Sequence, residues 1–170
     1  MIRRLARAVL PLLYAMRTAG RMKGRRYIVR QRSKLEVAQG DRIVLGDRVL
    51  IDKDARIITR GGDIFIGDDV FIGKNVTLIA FSDLHIGARS LIGQNVSIHT
   101  ENHGPAGDRG AYVSSPIVIG EDVWLAAGVV VTTGTTIAAG VTVGANSVVT
   151  KDLDPGTYGG VPAKRLRSAS

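Results

Sequence analysis

The chain has 170 residues, with 23 Lys/Arg, 15 Asp/Glu, three His and no Cys. That length suits one domain with its own core, and the absence of cysteine excludes disulfides, thiolate metal sites and cysteine nucleophiles. The formal charge of +8 is unevenly placed, because residues 1–34 hold eleven Lys/Arg and no acid, so the remaining body is mildly acidic and offers no general footprint for nucleic acid.

At the N-terminus, Ile2, Leu5, Val9, Leu12, Leu13 and Met16 fall near helical spacing, with Arg3, Arg4 and Arg7 elsewhere on the wheel. The spacing predicts a short amphipathic helix within a basic segment, residues 1–34, kinked at Pro11. The apolar run from Ala8 to Met16 is too short to span a membrane. Arg17, Arg21 and Lys23 follow it without a convincing signal-peptide cleavage site. A cytoplasmic protein is expected.

From residue 35 to 155 the dominant feature is a period of six. From position 119 the chain divides as IGEDVW, LAAGVV, VTTGTT, IAAGVT, VGANSV and VTKDLD. Each unit opens on an aliphatic residue: Ile119, Leu125, Val131, Ile137, Val143 and Val149. The same frame runs through Leu45, Ile51 and Ile57, through Ile66, Ile72 and Leu78, and through Ile86, Ile92 and Ile98. A period of six is neither helical nor one long alternating strand. It suits short strands separated by regular turns, each sending one aliphatic side chain inward. Gly and Asn between them tolerate the backbone that such turns need. The fold class is therefore all-β, a parallel solenoid of hexapeptide repeats.

The frame slips between Ile57 and Ile66, between Leu78 and Ile86, and most widely between Ile98 and Ile119. A solenoid extrudes surplus residues at a corner, so a long loop is expected over about residues 99–116. It contains Thr100-Glu101-Asn102-His103-Gly104-Pro105. Asp154-Pro155-Gly156 ends the repeat, and a basic tail, residues 156–170, carries Lys164, Arg165 and Arg167.

The hexads, the Asn-His-Gly of the long loop, and the stretches PIVIGEDVWL, GANSVVTKD and GVPAKRLR together resemble the hexapeptide-repeat acyltransferases. The nearest resemblance is to the sugar O-acetyltransferases of polysaccharide biosynthesis and the galactoside and maltose acetyltransferases. It spans about residues 40–167. It implies a left-handed β-helix, a homotrimer with active sites at subunit interfaces, acetyl-CoA as donor with no metal, and a sugar or glycan acceptor. His103 matches the family's catalytic histidine. Trp124, Ala127, Ala145, Thr150, Lys151, Lys164 and Arg167 match residues that contact CoA.

The chemistry of the residues fits that implication. Moving an acyl group from a thioester to a hydroxyl needs a base near neutral pH, and a neutral imidazole is suited to it. The tetrahedral intermediate needs N–H donors, for which the match offers Ala127. With no Cys, and with no serine–histidine motif apparent, direct transfer is expected rather than a covalent acyl-enzyme.

The galactoside-type enzymes carry an acceptor-contacting Asn and Asp where Gly73 and Ala80 stand here, so acceptor recognition differs. Candidate substitutes are His99, Asn102, Asn75, Asp83 and Tyr112. Glu101 is a candidate to orient His103 or the acceptor, and equally a solvated residue. His85 reads as structural or surface-exposed. The basic segment 1–34 suits a cap on the solenoid, contact with anionic lipid at the inner face of the membrane, or both. Two alternatives stand beside the leading reading. One is a zinc enzyme like the γ-carbonic anhydrases, which share this fold and need three His per site. The other is a non-catalytic solenoid serving in assembly.

Overall fold

A computed structural model of the chain describes residues 26–104 and 112–166. The expected helix over residues 2–16, the tip of the long loop and Arg167 lie outside those residues. Within them the secondary structure is β throughout, wound into about six coils.

The first coil is β1 (Tyr27–Val29), β2 (Lys34–Glu36) and β3 (Ile43–Leu45). The second is β4 (Val49–Ile51), β5 (Arg56–Thr59) and β6 (Ile64–Ile66), and the third is β7 (Phe71–Ile72), β8 (Thr77–Ala80) and β9 (Leu84–Ile86). In the fourth, β10 (Leu91–Ile92) and β11 (Ser97–His99) lead into a hairpin, β12 (Glu101–His103) and β13 (Tyr112–Ser114), before β14 (Ile117–Ile119). The fifth is β15 (Trp124–Leu125), β16 (Val130–Val131) and β17 (Thr136–Ile137). The sixth is β18 (Thr142–Val143) and β19 (Val148–Val149), with Leu153 bridging to Ile137. The chain then runs through β20 (Thr157–Gly159) and β21 (Lys164–Arg165).

Each strand pairs in parallel with those in the coils on either side, giving three faces. The first face is β1-β4-β7-β10-β15-β18-β20, the second β2-β5-β8-β11-β16-β19, and the third β3-β6-β9-β14-β17. The repeat extends beyond both expected boundaries. Tyr27–Val29 already pairs with Val49–Ile51, eight residues before position 35. At the other end Thr157–Gly159 pairs with β18, and β21 folds back antiparallel on it, so the tail closes the first face. Both segments lack a clear hexad, and the pairing comes from the exposed edge of the neighbouring coil.

Parallel register places like residues above like. On the second face Leu35, Ile57, Leu78, Ile98, Val131 and Val149 form one buried column, held in line by the strand pairing. On the third, Leu45, Ile66, Ile86, Ile119 and Ile137 do the same. Full burial of each such side chain is worth roughly 1.5–3 kcal/mol, so the ladders drive the winding.

The corners differ. Between the first and second faces Asp54, Asn75, Asn95, Gly128 and Asn146 all have positive φ. They stack one above another, with Asn75 Nδ2 donating to Asn95 Oδ1 at 2.9 Å. A side chain at position 128 would strike Asn146 Oδ1, so Gly serves there for space as well as conformation. Between the second and third faces the chain is irregular. All three slips of the frame open at this corner, together with a fourth between Leu35 and Leu45.

A set of threonines holds the irregular corner together. Thr59 Oγ1 accepts from Ala38 N–H at 2.8 Å. Thr100 Oγ1, fully buried, accepts from Phe81 N–H and Ser82 N–H at 2.8 and 3.0 Å. Thr133 Oγ1 accepts from Ser115 N–H at 2.9 Å and donates to Thr100 O at 2.6 Å. These hydroxyls satisfy backbone groups that the ladder has released, which is what lets a loop leave the coil without buried unpaired donors.

Candidate active site

The long insertion rises from this clamped corner as a two-stranded hairpin. Its register pairs Glu101 with Ser114, Asn102 with Val113, and His103 with Tyr112. His103 is exposed near the top of the described part. Its ring lies 4.9 Å from the Tyr112 ring, tilted by 41°. Tyr112 in turn stacks on Phe81 of the coil above, at 6.3 Å. The imidazole thus stands at the end of a short aromatic row rooted on the solenoid. Asn102 Oδ1 accepts the His103 backbone N–H at 2.9 Å, so it fixes the hairpin backbone and not the ring.

His99 lies on the outer side of the second face, one coil position before the hairpin. Its Nε2 is 2.9 Å from Ser97 Oγ, and its Nδ1 is 3.7 Å from Glu101 Oε1. A serine–histidine pair therefore exists, contrary to the expectation from sequence. The i, i+2, i+4 spacing of Ser97, His99 and Glu101 in an extended segment is the signal that would have found it, because alternate side chains share one side. Glu101 is only partly solvated: its side chain is 21% exposed. His85 is on the third face, stacked on Phe65 at 4.6 Å, with Arg42 over the same Phe ring.

The other expected site residues fall in separate places. Asp83, Thr150 and Lys151 are at the second–third corner, as His103 is, with Thr150 and Lys151 two coils further along the axis. That displacement is roughly 10 Å, at about 4.8 Å per paired strand. Asp83 Oδ1 accepts the Asp63 N–H at 2.9 Å. Ala127, Ala145 and Asn75 are at the first–second corner, across the second face from His103. Trp124 projects from the first face between Leu91 and Thr142 and is 51% exposed. Lys164, on β21, is exposed on the same face. Gly93 packs over Ala127, where an added Cβ would come within 2.9 Å of the Ala127 nitrogen. Gly73 and Ala80 are both buried.

One chain therefore brings His103, Tyr112 and Asn102 together, with His99 and Glu101 beside them. It does not bring them to Ala127, Ala145 or Trp124. Nor do its three histidines converge: among the described residues no cluster of three metal-ligating side chains assembles. Also among the described residues, no helix is long and apolar enough to cross a membrane.

Comparison with known proteins places this geometry in a family. The family model described as bacterial transferase hexapeptide (six repeats) matches residues 116–151, and that described as hexapeptide repeat of succinyl-transferase matches residues 64–99. A galactoside O-acetyltransferase from Lactococcus lactis subsp. lactis is 39% identical over 82 residues, covering 46% of this chain and 40% of that protein. A putative colanic acid biosynthesis acetyltransferase, WcaF, from Escherichia coli is 38% identical over 79 residues, covering 46% and 43%. The aligned part thus spans less than half the length of these two relatives. A hexapeptide-repeat-containing acetyltransferase from Vibrio cholerae O1 biovar eltor, solved with acetyl coenzyme A, is 30% identical, covers 86% of this chain and 70% of that one, and has a TM-score of 0.59.

The chain belongs to the hexapeptide-repeat acyltransferase family, and its solenoid is the left-handed β-helix of that family.

Proposed function

We infer that the protein is an acetyl-CoA-dependent O-acetyltransferase that acylates a hydroxyl of a sugar or glycan in surface-polysaccharide assembly. The observation that carries this is His103, exposed on a hairpin clamped to the solenoid, with its ring backed by Tyr112 and Phe81. Family membership, and the names of the galactoside and colanic acid relatives, support the donor and the acceptor class.

The residues fit an acetyl-CoA molecule. Gly93 lets the backbone of the next coil pack closely at Ala127, and the Ala127 N–H has no partner among the described residues, as an oxyanion donor requires. Trp124 offers an exposed flat ring for the pantetheine arm on the side of Ala145, and Thr150 lines the second–third corner that carries His103. Lys151, Lys164 and Arg167 supply charge for the phosphates. His103 as neutral imidazole takes the acceptor O–H proton while that oxygen bonds to the acetyl carbon. The carbon–sulfur bond then breaks, and the proton passes to the departing thiolate.

His103 and Ala127 stand at different corners of one chain, which supports a homotrimer in which the second copy completes each site. The Ser97–His99 pair raises a covalent route, but its orienting carboxylate is beyond hydrogen-bond reach of Nδ1 at 3.7 Å. Direct transfer is the preferred route.

Turnover of acetyl-CoA against a panel of simple glycosides tests the reading. The wild type should acetylate at least one, and His103→Ala should lose about 10²–10⁴ in rate while its melting curve is unchanged. Undiminished turnover in that variant, or an acetyl adduct on Ser97 in the absence of acceptor, would overturn it.

A further inference from the structure

Glu101 is the least satisfied polar group near His103 among the described residues. Its Oε2 is buried and has no hydrogen-bond partner among them. Its Oε1 faces His99 Nδ1 at 3.7 Å, too far for a hydrogen bond. An ionised carboxylate can accept about four hydrogen bonds, and one buried without any is expected to be completed by a group from outside the chain. The side chain is held in place all the same. Ser97 fixes His99 through the 2.9 Å contact to Nε2, and His99 covers the Oε1 side.

Position gives this carboxylate a purpose. Ser97 and His99 alternate on β11, and Glu101 and His103 alternate on β12 beyond the bend at Thr100, with Ile98 and Thr100 fully buried. Within β12 alternation sends Glu101 and His103 toward one side, roughly 6–7 Å apart along the backbone. Tyr112 offers its ring to His103, and the amide and carboxylate candidates other than Glu101 are engaged or remote. Asn102 holds the His103 N–H, Asp83 holds the Asp63 N–H, and Asn75 is bonded to Asn95 at the other corner.

We propose that Glu101 is an acceptor-recognition residue whose Oε2 takes a hydrogen bond from a second O–H or N–H donor of the acceptor, beside the hydroxyl that His103 deprotonates. The inference rests on the reading of His103 as the acetyl-transfer site. It assigns the acceptor a class: a ring bearing at least two neighbouring donor groups, of which one may be acylated and the other must remain free. The second donor is a hydroxyl of a neutral sugar or the ammonium of an amino sugar, both of which complete a carboxylate.

The test combines binding and turnover in the full chain. Methyl β-galactoside, methyl β-glucoside and methyl β-glucosaminide are titrated by saturation-transfer NMR into wild type, Glu101→Ala, Glu101→Gln and His103→Ala, and acetyl-CoA turnover is then measured with each glycoside. Glu101→Ala should weaken glycoside binding and raise the acceptor KM by about ten- to a hundredfold, the loss of one hydrogen bond to a charged group. The KM for acetyl-CoA should stay within about twofold. His103→Ala should still bind the glycosides. A loss shared by all three sugars identifies a hydroxyl, and a loss confined to the glucosaminide identifies an ammonium. Glu101→Gln keeps the shape, so a folding defect in the Ala variant alone would be exposed by it. Unchanged glycoside binding in both Glu101 variants would overturn the inference alone. Failure of the wild type to bind any of the three would overturn it together with the reading of the site.

Discussion

Two corners of the same solenoid solve the same problem differently. The first–second corner turns each coil with the same geometry, a single residue of positive φ at Asp54, Asn75, Asn95, Gly128 and Asn146. The second–third corner never repeats itself, and it carries every surplus residue in the chain's hexad frame. The regular corner is maintained by local backbone preference, which any one coil can satisfy. The irregular corner depends on side-chain hydroxyls that reach between coils, Thr59, Thr100 and Thr133. That contrast shows how a repeat built for uniformity accommodates a site. Variation is confined to one edge, and bonds from neighbouring coils stabilise it there.

The comparison can be broken first at Thr100. Replacing it with Val keeps the shape but leaves the Phe81 and Ser82 N–H groups without their acceptor. Each buried orphan costs about 1–3 kcal/mol, so denaturant unfolding should show a loss of about 2 kcal/mol or more, and turnover should fall with it. A variant as stable as wild type would mean that the clamp is dispensable. At the regular corner, Asn95→Ala keeps a residue at φ 58° but removes the amide that makes Asn tolerant of the left-handed region, and with it the Asn75 bond. A loss of about 1–2 kcal/mol is expected, with glycoside turnover retained, because the damage is remote from His103.

The smallest effect lies in the ion pair of that corner. Arg32 grips Asp54 at 2.6 and 2.8 Å, and this hydrogen bonding holds the Asp54 carboxyl below its usual range. A carboxylate with a depressed folded pKa contributes stability above the unfolded value, about 3.9, and loses it as pH falls through the folded value. Melting temperatures followed from neutral to acid pH should therefore decline more gently in Asp54→Asn than in wild type. Because the pair is exposed, the difference should shrink further in salt. Identical acid limbs would leave the pair without a measurable role.

Much of this fold was legible in the order of residues. The aliphatic at every sixth place predicted the ladders, since inward-facing positions tolerate little else. The loop at His103 was legible as an interruption of that frame. The first strand and the last two were not, because Ile28, Tyr158 and Lys164 belong to no visible hexad and pair only by finding an open sheet edge. The Ser97–His99–Glu101 line was missed for a different reason. Its alternation looks like ordinary strand polarity until the bend at Thr100 is known to keep Glu101 inside. The division of the site between two corners could not be read at all, since it depends on how six-residue units map onto three faces.

That division is the central claim, and subunit complementation tests it most directly. His103→Ala removes the base at one corner, and Ala127→Phe places a bulky ring at the candidate oxyanion donor of the other, so each variant alone should be inactive. Co-expressed as tagged copies and purified as mixed assemblies, they should recover about a third of wild-type turnover, because one of the three interfaces in every mixed trimer pairs an intact corner from each copy. No recovery in verified mixed trimers would contradict a site completed between copies.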